Sequence, residues 1–297
     1  IVKSNLKNME KRFKLFFFGF GQVAKYFLNK LIQEKYNFDL VTTNTKKTEN
    51  KIFNKFNFKS YYFFNNKFDP QLLNELENSN KVLISIPPIE GHDVVLKTFH
   101  KIFKESKFDW ITYLSATSIY GNKNGEWVDE NTNPNPTSSR GIARLNAEKA
   151  WLEYFKNYKI PIQIFRLAGI YSNENNVLKR LKLGTQTVIE KKNHYFSRIH
   201  VEDIAEILFI SLKKFNSGEI FNISDDYPSS NIELVKYAAS LINIKIPKSI
   251  SVDQIESEML KDFYKDSKKI KNQKMKSFFE HNLKYPTFKE GLEFIKN

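Results

Sequence analysis

Residues 13–31 read FKLFFFGFGQVAKYFLNKL. The apolar run from Phe13 to Phe18 has the length and composition of a strand buried on both faces. Gly19-Phe20-Gly21-Gln22-Val23-Ala24 follows, after which Val23, Ala24, Phe27, Leu28 and Leu31 fall at helical spacing. Strand, glycine turn and helix start are the parts of a dinucleotide-binding βα unit. Gly19 permits the tight turn. Gly21 leaves the backbone open to a pyrophosphate, and Ala24 lets the helix pack closely on the strand. The amide groups at the helix start, with the macrodipole, then face the phosphates. An isolated GxGxxA also occurs in ordinary strand–helix turns, so the flanking strand and helix carry the coenzyme reading.

Working outward, Phe38–Thr43 reads as the second strand. Its end lies about 20 residues beyond the glycine turn, where the group that reads the adenosine ribose belongs. An NAD-preferring site places Asp or Glu there. This chain has Thr43, Asn44 and Thr45, then Lys46 and Lys47. Hydroxyl, amide and ammonium groups suit a 2′-phosphate, so NADP is expected over NAD. Residues 45–60 read as a polar connection holding at most a short helix, and 59–64 as the third strand. The run 81–86 reads as a fourth, buried strand that Pro87-Pro88 must end, because proline has no N–H for a sheet. Ile86, Pro87 and Pro88 are therefore expected at the coenzyme cleft. A fifth strand, 110–115, empties into Ala116-Thr117-Ser118-Ile119-Tyr120-Gly121, with Ser115 at its carboxyl end. Hydroxyl groups there lie where ligands of a parallel sheet bind. A sixth strand at 162–167, a helix from Asp203 to Lys213 and a strand at 219–223 extend the alternation that marks a parallel α/β sheet.

The composition narrows the function. The 297 residues hold no cysteine, which excludes disulfides, thiolate metal sites and a cysteine nucleophile and agrees with a reducing, cytoplasmic setting. His92, His100, His194, His200 and His281 show no metal-ligand spacing, so no metal is expected. The formal charge is +14, but the lysines are scattered among Asn, Ile and Phe without a long basic block. Nucleic acid is not the expected partner, since aromatic-interleaved basic runs are missing. No run approaches the length of a membrane span. Residues 1–10 are expected to be a disordered extension, with Met9 as an alternative start.

From Leu114 to Gly121 the chain resembles the extended short-chain dehydrogenase/reductase family, which includes nucleotide-sugar epimerases and dehydratases. The resemblance rests on Gly19–Ala24, on Leu114–Gly121, on the helix start between Pro136 and Glu148, on Phe165–Tyr171, on Arg198–Asp203 and on Tyr285-Pro286, in that order and spacing. It covers roughly residues 11–297. The GxGxxA turn departs from the GxxGxxG usual in the extended family and is similar to an atypical branch. The resemblance implies a Rossmann-type doubly wound parallel sheet with a small C-terminal α/β substrate lobe. Residues 11–172, with parts of 195–225, would bind the coenzyme, and 173–297 would mainly form the lobe. It also implies a small polar, nucleotide-sugar-like substrate, and pairing of two copies through the helices after strands four and five.

The family's catalytic residues are Ser or Thr, then Tyr-x-x-x-Lys. Aligned on Ala147-Glu148, the Lys position holds Arg144, the Tyr position Arg140 and the Ser position Ala116. Arginine stays protonated, so Arg140 is no general base and a poor acid; it suits a fork around a carboxylate or phosphate. Arg144 suits the nicotinamide ribose. Thr117, Ser118 and Tyr120 are the neighbouring hydroxyls, and Tyr120 is a candidate substitute acid. The coenzyme set is Gly19, Phe20, Gly21, Gln22, Val23, Thr43, Asn44, Lys46, Ile86, Pro87, Pro88, Ser115 and Arg144. Two functions compete: an atypical NADP-dependent oxidoreductase or epimerase, and a non-catalytic NADP-binding sensor.

Overall fold

In the computed structural model, which describes residues 12–105 and 107–297, the opening stretch forms β1 (Phe13–Phe18) and α1 (Gln22–Gln33). Leu15 and Phe17 enter one core while Phe16 and Phe18 enter the other. A strand covered on both faces needs no polar alternation, which is why this run is continuously apolar. The expected N-terminal extension and Met9 lie outside the described residues.

The chain continues through β2 (Phe38–Asn44), β3 (Glu49–Phe53), β4 (Phe56–Phe64), β5 (Lys67–Phe68), α2 (Gln71–Glu77), β6 (Lys81–Ile84), α3 (Val94–Glu105) and β7 (Trp110–Ala116). A 3-10 turn spans Thr117–Tyr120, followed by β8 (Trp127–Val128), α4 (Ser139–Tyr158), β9 (Ile162–Leu167), β10 (Gly169–Tyr171) and α5 (Val177–Lys182). Next come β11 (Val188–Ile189), β12 (Arg198–His200), α6 (Val201–Ser211), β13 (Ile220–Ile223) and α7 (Asn231–Leu241). The remainder holds β14 (Ser249–Ile250), α8 (Glu258–Lys265), β15 (Lys269–Ile270), α9 (Gln273–Phe279) and α10 (Phe288–Lys296).

The main sheet runs β13-β9-β7-β6-β1-β2-β4-β3, with β5 paired to β4. Its neighbours are parallel from β13 to β4, and β3 and β5 each pair antiparallel with β4. From the central β1 the chain first builds outward through β2, then returns to build outward through β6. Helices α1, α6 and α9 cover one face, and α2, α3 and α4 the other. This is a Rossmann-type doubly wound sheet. The lobe beyond it gathers α5, α7 and α10 around Val177, Leu181, Val235, Ala238 and Phe288. Helix α9 instead sends Met275 and Phe279 into the core under the sheet.

Residues 45–60 are not a polar connection with a short helix; they contain β3, the turn and the start of β4. The turn residues Asn54 and Lys55 have φ of 47° and 65°, and Phe53 pairs with Phe56 across it. Two left-handed residues make the turn whose twist matches a hairpin. An Asn-Lys pair among lysines hides that signal, which Asn-Gly would have shown. Strand β6 ends at Ile84, two residues before 86, and the Ser85 N–H and hydroxyl both donate to the Phe18 carbonyl, at 3.0 and 2.8 Å. Helix α6 starts at Val201, capped by His200, whose Nδ1 accepts the Glu202 N–H at 3.2 Å.

One buried ion pair ties the layers together. Arg166 on β9 donates through Nε to both oxygens of Glu148 on α4 at 3.1 Å, and through Nη2 at 2.7 Å. Its Nη1 donates to the Tyr120 hydroxyl at 2.9 Å, and that hydroxyl donates to Asn222 Oδ1 at 2.7 Å. Fully satisfied buried networks of this kind fix one packing arrangement. Among the described residues no helix is long and apolar enough to cross a membrane.

Candidate functional site

Ligands of doubly wound sheets bind beyond the strands' carboxyl ends, where the chain reverses its direction of building. Here that point lies between β1 and β6. Gly19 closes β1 with φ of 87°, and its N–H donates to Thr43 Oγ1 at 2.9 Å. A Cβ on Gly19 would sit 2.7 Å from Ile86 Cγ2 and 3.0 Å from Ser85 Oγ. Gly21 caps α1, and a Cβ there would meet nothing within 4 Å. The first glycine is thus demanded by protein, while the second keeps a space open beside the helix start. Helix α1 carries no side-chain cap and no acidic residue in its first turn, so its leading N–H groups suit an anion. Ser115, at the end of β7, has a buried hydroxyl without a partner among the described residues. These features fit a dinucleotide.

Several expected coenzyme residues have other duties. The Phe20 ring turns onto the hairpin, 5.7 Å from Phe53 and 4.9 Å from Phe58, and Val23 points into the core. Both can offer the coenzyme only their backbone. Thr43 holds the glycine turn. Asn44 closes its own loop, accepting the N–H groups of Lys46 and Lys47 at 2.9 and 3.0 Å while its amide donates to Ser60 Oγ at 2.8 Å. Thr43 is thus occupied as an acceptor and Asn44 is held within its own loop. Thr45 and Lys46 stand exposed at the strand end, and Lys47 faces Glu49 at 3.6 Å. Ile86 touches the glycine turn, and Pro87 and Pro88 follow at the surface.

Beyond the ends of β7 and β9 lies a cavity of about 510 Å³, within the range usual for small-molecule sites. Ala116, Thr117, Ser118, Arg140 and Arg144 line its sheet side. They meet because α4 begins hard against the 3-10 turn: a Cβ on Gly141 would lie 2.9 Å from both Pro136 Cβ and the Ser118 carbonyl. Arg144 donates from Nη1 to the Leu114 carbonyl at 2.5 Å. Tyr120 does not join them. The 3-10 turn carries it inward, onto Arg166 and Asn222, and burial pushes its hydroxyl up to about 12. It is a core residue, which removes it as a substitute acid.

The lobe side of the cavity was not foreseen. Arg180 on α5 donates to Gln186 and Asn175, at 2.8 and 3.2 Å. Arg198 on β12 donates to the Phe196 carbonyl and Ser229 Oγ, at 3.1 and 2.8 Å. Burial lowers the pKa of both guanidinium groups. Among the described residues none of Arg140, Arg144, Arg180 and Arg198 has a carboxylate oxygen within 4.0 Å. The two carboxylates in the lining are engaged elsewhere: Asp262 with Lys265, and Asp266 with Thr137 and Lys268. A pocket lined by four arginines without a directly paired carboxylate suits a polyanion. The sequence offered one signal, the Arg198-Ile199-His200 motif, but arginines on separated elements converge only in three dimensions. Met259 and Phe263, one turn apart on α8, cover the outer wall and are about half exposed. Trp127 lies outside the lining, with Lys269 over its ring at 5.4 Å.

Sheet order and the glycine turn after β1 define a Rossmann-type fold. Residues 91–224 match the model of the NAD dependent epimerase/dehydratase family. A dTDP-D-glucose 4,6-dehydratase of Dictyostelium discoideum is 27% identical over 180 residues, covering 53% of this chain and 39% of that protein. The chain thus matches less than half the length of this curated relative. A functionally unknown conserved protein from Silicibacter pomeroyi superposes with a TM-score of 0.80 at 28% identity, over 96% of this chain and 98% of that one. A dTDP-glucose 4,6-dehydratase from Bacillus anthracis, solved in complex with NAD, gives a TM-score of 0.76 at 17% identity, over 96% of each chain. At that identity the likeness shows the fold.

Proposed function

We propose that the chain is an NAD(P)-dependent oxidoreductase or epimerase whose cavity takes a nucleotide-sugar-like substrate. The observation that carries this is one cavity beyond the carboxyl ends of β7 and β9, lined by four arginines none of which has a carboxylate oxygen within 4.0 Å among the described residues. It also speaks against a coenzyme sensor, which needs no second cavity of that kind.

The residues divide the work as follows. Amides of Gly19 to Val23 hold the pyrophosphate, with Ile86, Pro87 and Pro88 along the cleft and Ser115 donating its hydroxyl from the floor. Arg144, braced on the Leu114 carbonyl, bonds the nicotinamide ribose. The coenzyme, when bound, supplies hydride chemistry. Arg180 and Arg198 neutralise the substrate's phosphates, while Thr117, Ser118 and Arg140 orient the end that reacts. With Ala116, Arg140 and Arg144 standing at the family's Ser, Tyr and Lys positions, these residues act by orientation and charge rather than by taking a proton. Asp266 and Lys268, 3.8 Å apart, also line the cavity, and burial lowers the Lys268 pKa.

For the coenzyme we propose NADP over NAD, through Lys46 and Thr45 and the missing carboxylate at the end of β2. We also propose pairing through α3 and α4, where Ile142 and Tyr158 of α4 are exposed; the mass from sedimentation velocity checks this, a monomer refuting it. Binding tests the central reading. Titration with uridine- and thymidine-diphosphate sugars in saturating coenzyme should give a saturable heat that falls at least tenfold in affinity in Arg198→Ala. Coenzyme binding without any sugar-nucleotide binding would overturn the substrate assignment.

A further inference from the structure

The cavity's two pairs of arginines sit on different parts of the fold. Arg180 and Arg198 come from the lobe, whereas Arg140 stands at the strand ends with Thr117 and Ser118. Arg140 is the second residue of α4, behind the capping Ser138, whose Oγ accepts the Gly141 N–H at 3.1 Å. A cation there opposes the helix macrodipole, and the first turn of α4 holds no acidic residue to offset it. Among the described residues Arg140 makes no ion pair or hydrogen bond, and neither hydroxyl of Thr117 or Ser118 bonds to protein. Arg140 is exposed and Thr117 and Ser118 are half-buried, and all three line the same cavity with no protein acceptor among the described residues. The contact of Gly141 with the Ser118 carbonyl and Pro136 keeps them together, because any side chain at 141 would force α4 off the turn.

We propose that Arg140 is a specificity residue for a carboxylate on the reacting moiety of the substrate, so that the ligand class is a sugar acid carried on a nucleoside diphosphate. This rests on the reading of the cavity as the substrate site. The lobe arginines account for the phosphates, and the end that reaches Thr117 and Ser118 is the sugar. An anion on that end satisfies the guanidinium fork, gains the two hydroxyl donors and turns the unfavourable dipole contact of Arg140 into a bridged one. A neutral hydroxymethyl group leaves the fork unmatched. Lysine at this position would keep the charge and lose the planar fork.

The test compares a nucleoside-diphosphate hexose with the matching hexuronate, which differ only in a hydroxymethyl against a carboxylate. Both are titrated, in uridine and thymidine forms, into the coenzyme-saturated protein. The wild type is expected to bind the hexuronate at least tenfold more tightly. In Arg140→Gln that preference should vanish, hexuronate affinity falling by much the greater factor, and Arg140→Lys should keep part of it. Unchanged coenzyme affinity in each variant reports an intact fold. Equal affinity of the wild type for both ligands, a preference that survives in Arg140→Gln, or equal weakening of both ligands would each overturn the inference and leave the sugar-nucleotide reading standing. If neither ligand binds while coenzyme does, the underlying reading falls and this inference with it.

Discussion

Replacing the two glycines of the turn should have opposite consequences. At Gly19 any side chain must adopt φ of 87°, which costs a non-glycine residue about 1–3 kcal/mol. Its Cβ also arrives 2.7 Å from Ile86 Cγ2, and forcing a methyl into a packed site costs roughly 1–3 kcal/mol more. Because Ile86 is partly exposed and can shift, Gly19→Ala should lose about 2–4 kcal/mol of folding stability, near the lower half of that sum. At Gly21 the φ of −83° suits any residue, and the Cβ enters open space. Gly21→Val should therefore fold within about 1 kcal/mol of the wild type, since only helix-cap preference and chain entropy change. Its side chain fills the space proposed for the pyrophosphate, so coenzyme affinity should fall at least tenfold, about 1.4 kcal/mol or more. Urea unfolding gives the first quantity and quenching of NADH or NADPH fluorescence the second. A Gly21→Val protein that binds coenzyme like the wild type, or a Gly19→Ala protein as stable as it, would refute the account of this turn.

Further outcomes can be checked with the same methods. Glu148→Ala leaves Arg166 charged and buried, 3% exposed, and should cost about 3–5 kcal/mol in urea unfolding, whereas Tyr120→Phe should cost about 1 kcal/mol and leave coenzyme and sugar-nucleotide affinity untouched. Lys46→Ala should weaken NADPH several-fold and NADH hardly at all; equal effects on both would remove the 2′-phosphate assignment. His194 and His200 are buried and desolvated, which holds each imidazole at about 4, below its ordinary value. Depressed histidines stabilise fully above the unfolded pKa of about 6.5 and lose that contribution as pH falls towards 4, each by up to about 3 kcal/mol. Asp203, raised to about 6 by burial, works oppositely and offsets part of it over the same window. Unfolding free energy should thus drop between pH 6.5 and 4, more gently in His194→Gln, and an unchanged slope in that variant would count against the assignment.

Much of the sheet was legible because its strands announce themselves. The Phe-rich β1, the valine- and isoleucine-rich β6 and β9, and the glycines after β1 have one structural meaning each, and their order fixes the doubly wound arrangement. The hairpin was hidden by its composition: β3 is half exposed, carries Glu49 and Lys51, and turns on Asn54-Lys55. At the site, the residues contiguous in sequence came together as expected, from Ala116 to Ser118 and from Arg140 to Arg144. What the sequence concealed was competition for side chains. Nothing in a string of residues says that Thr43 bonds Gly19, that Asn44 closes its own loop, or that Tyr120 faces Arg166. Arg180 and Arg198 were hidden for a different reason, since their elements are distant in the chain and meet only around the cavity.

The hairpin also explains part of the chain's surplus of positive charge. Strand β3 is the outermost ribbon of the sheet, with no neighbour beyond it among the described residues and Ile52 73% exposed. Such a border invites another molecule to add itself as the next strand. Lys47, Lys51 and Lys55 stand along or just beside it against the single Glu49, which Lys47 and Lys51 share, so two approaching copies would bring net positive charges together. Replacing these three by serine should leave the monomer folded yet shorten its life in solution, with light scattering rising and fibre-type dye binding appearing. Part of the chain's scattered lysine would then act as a guard against self-association.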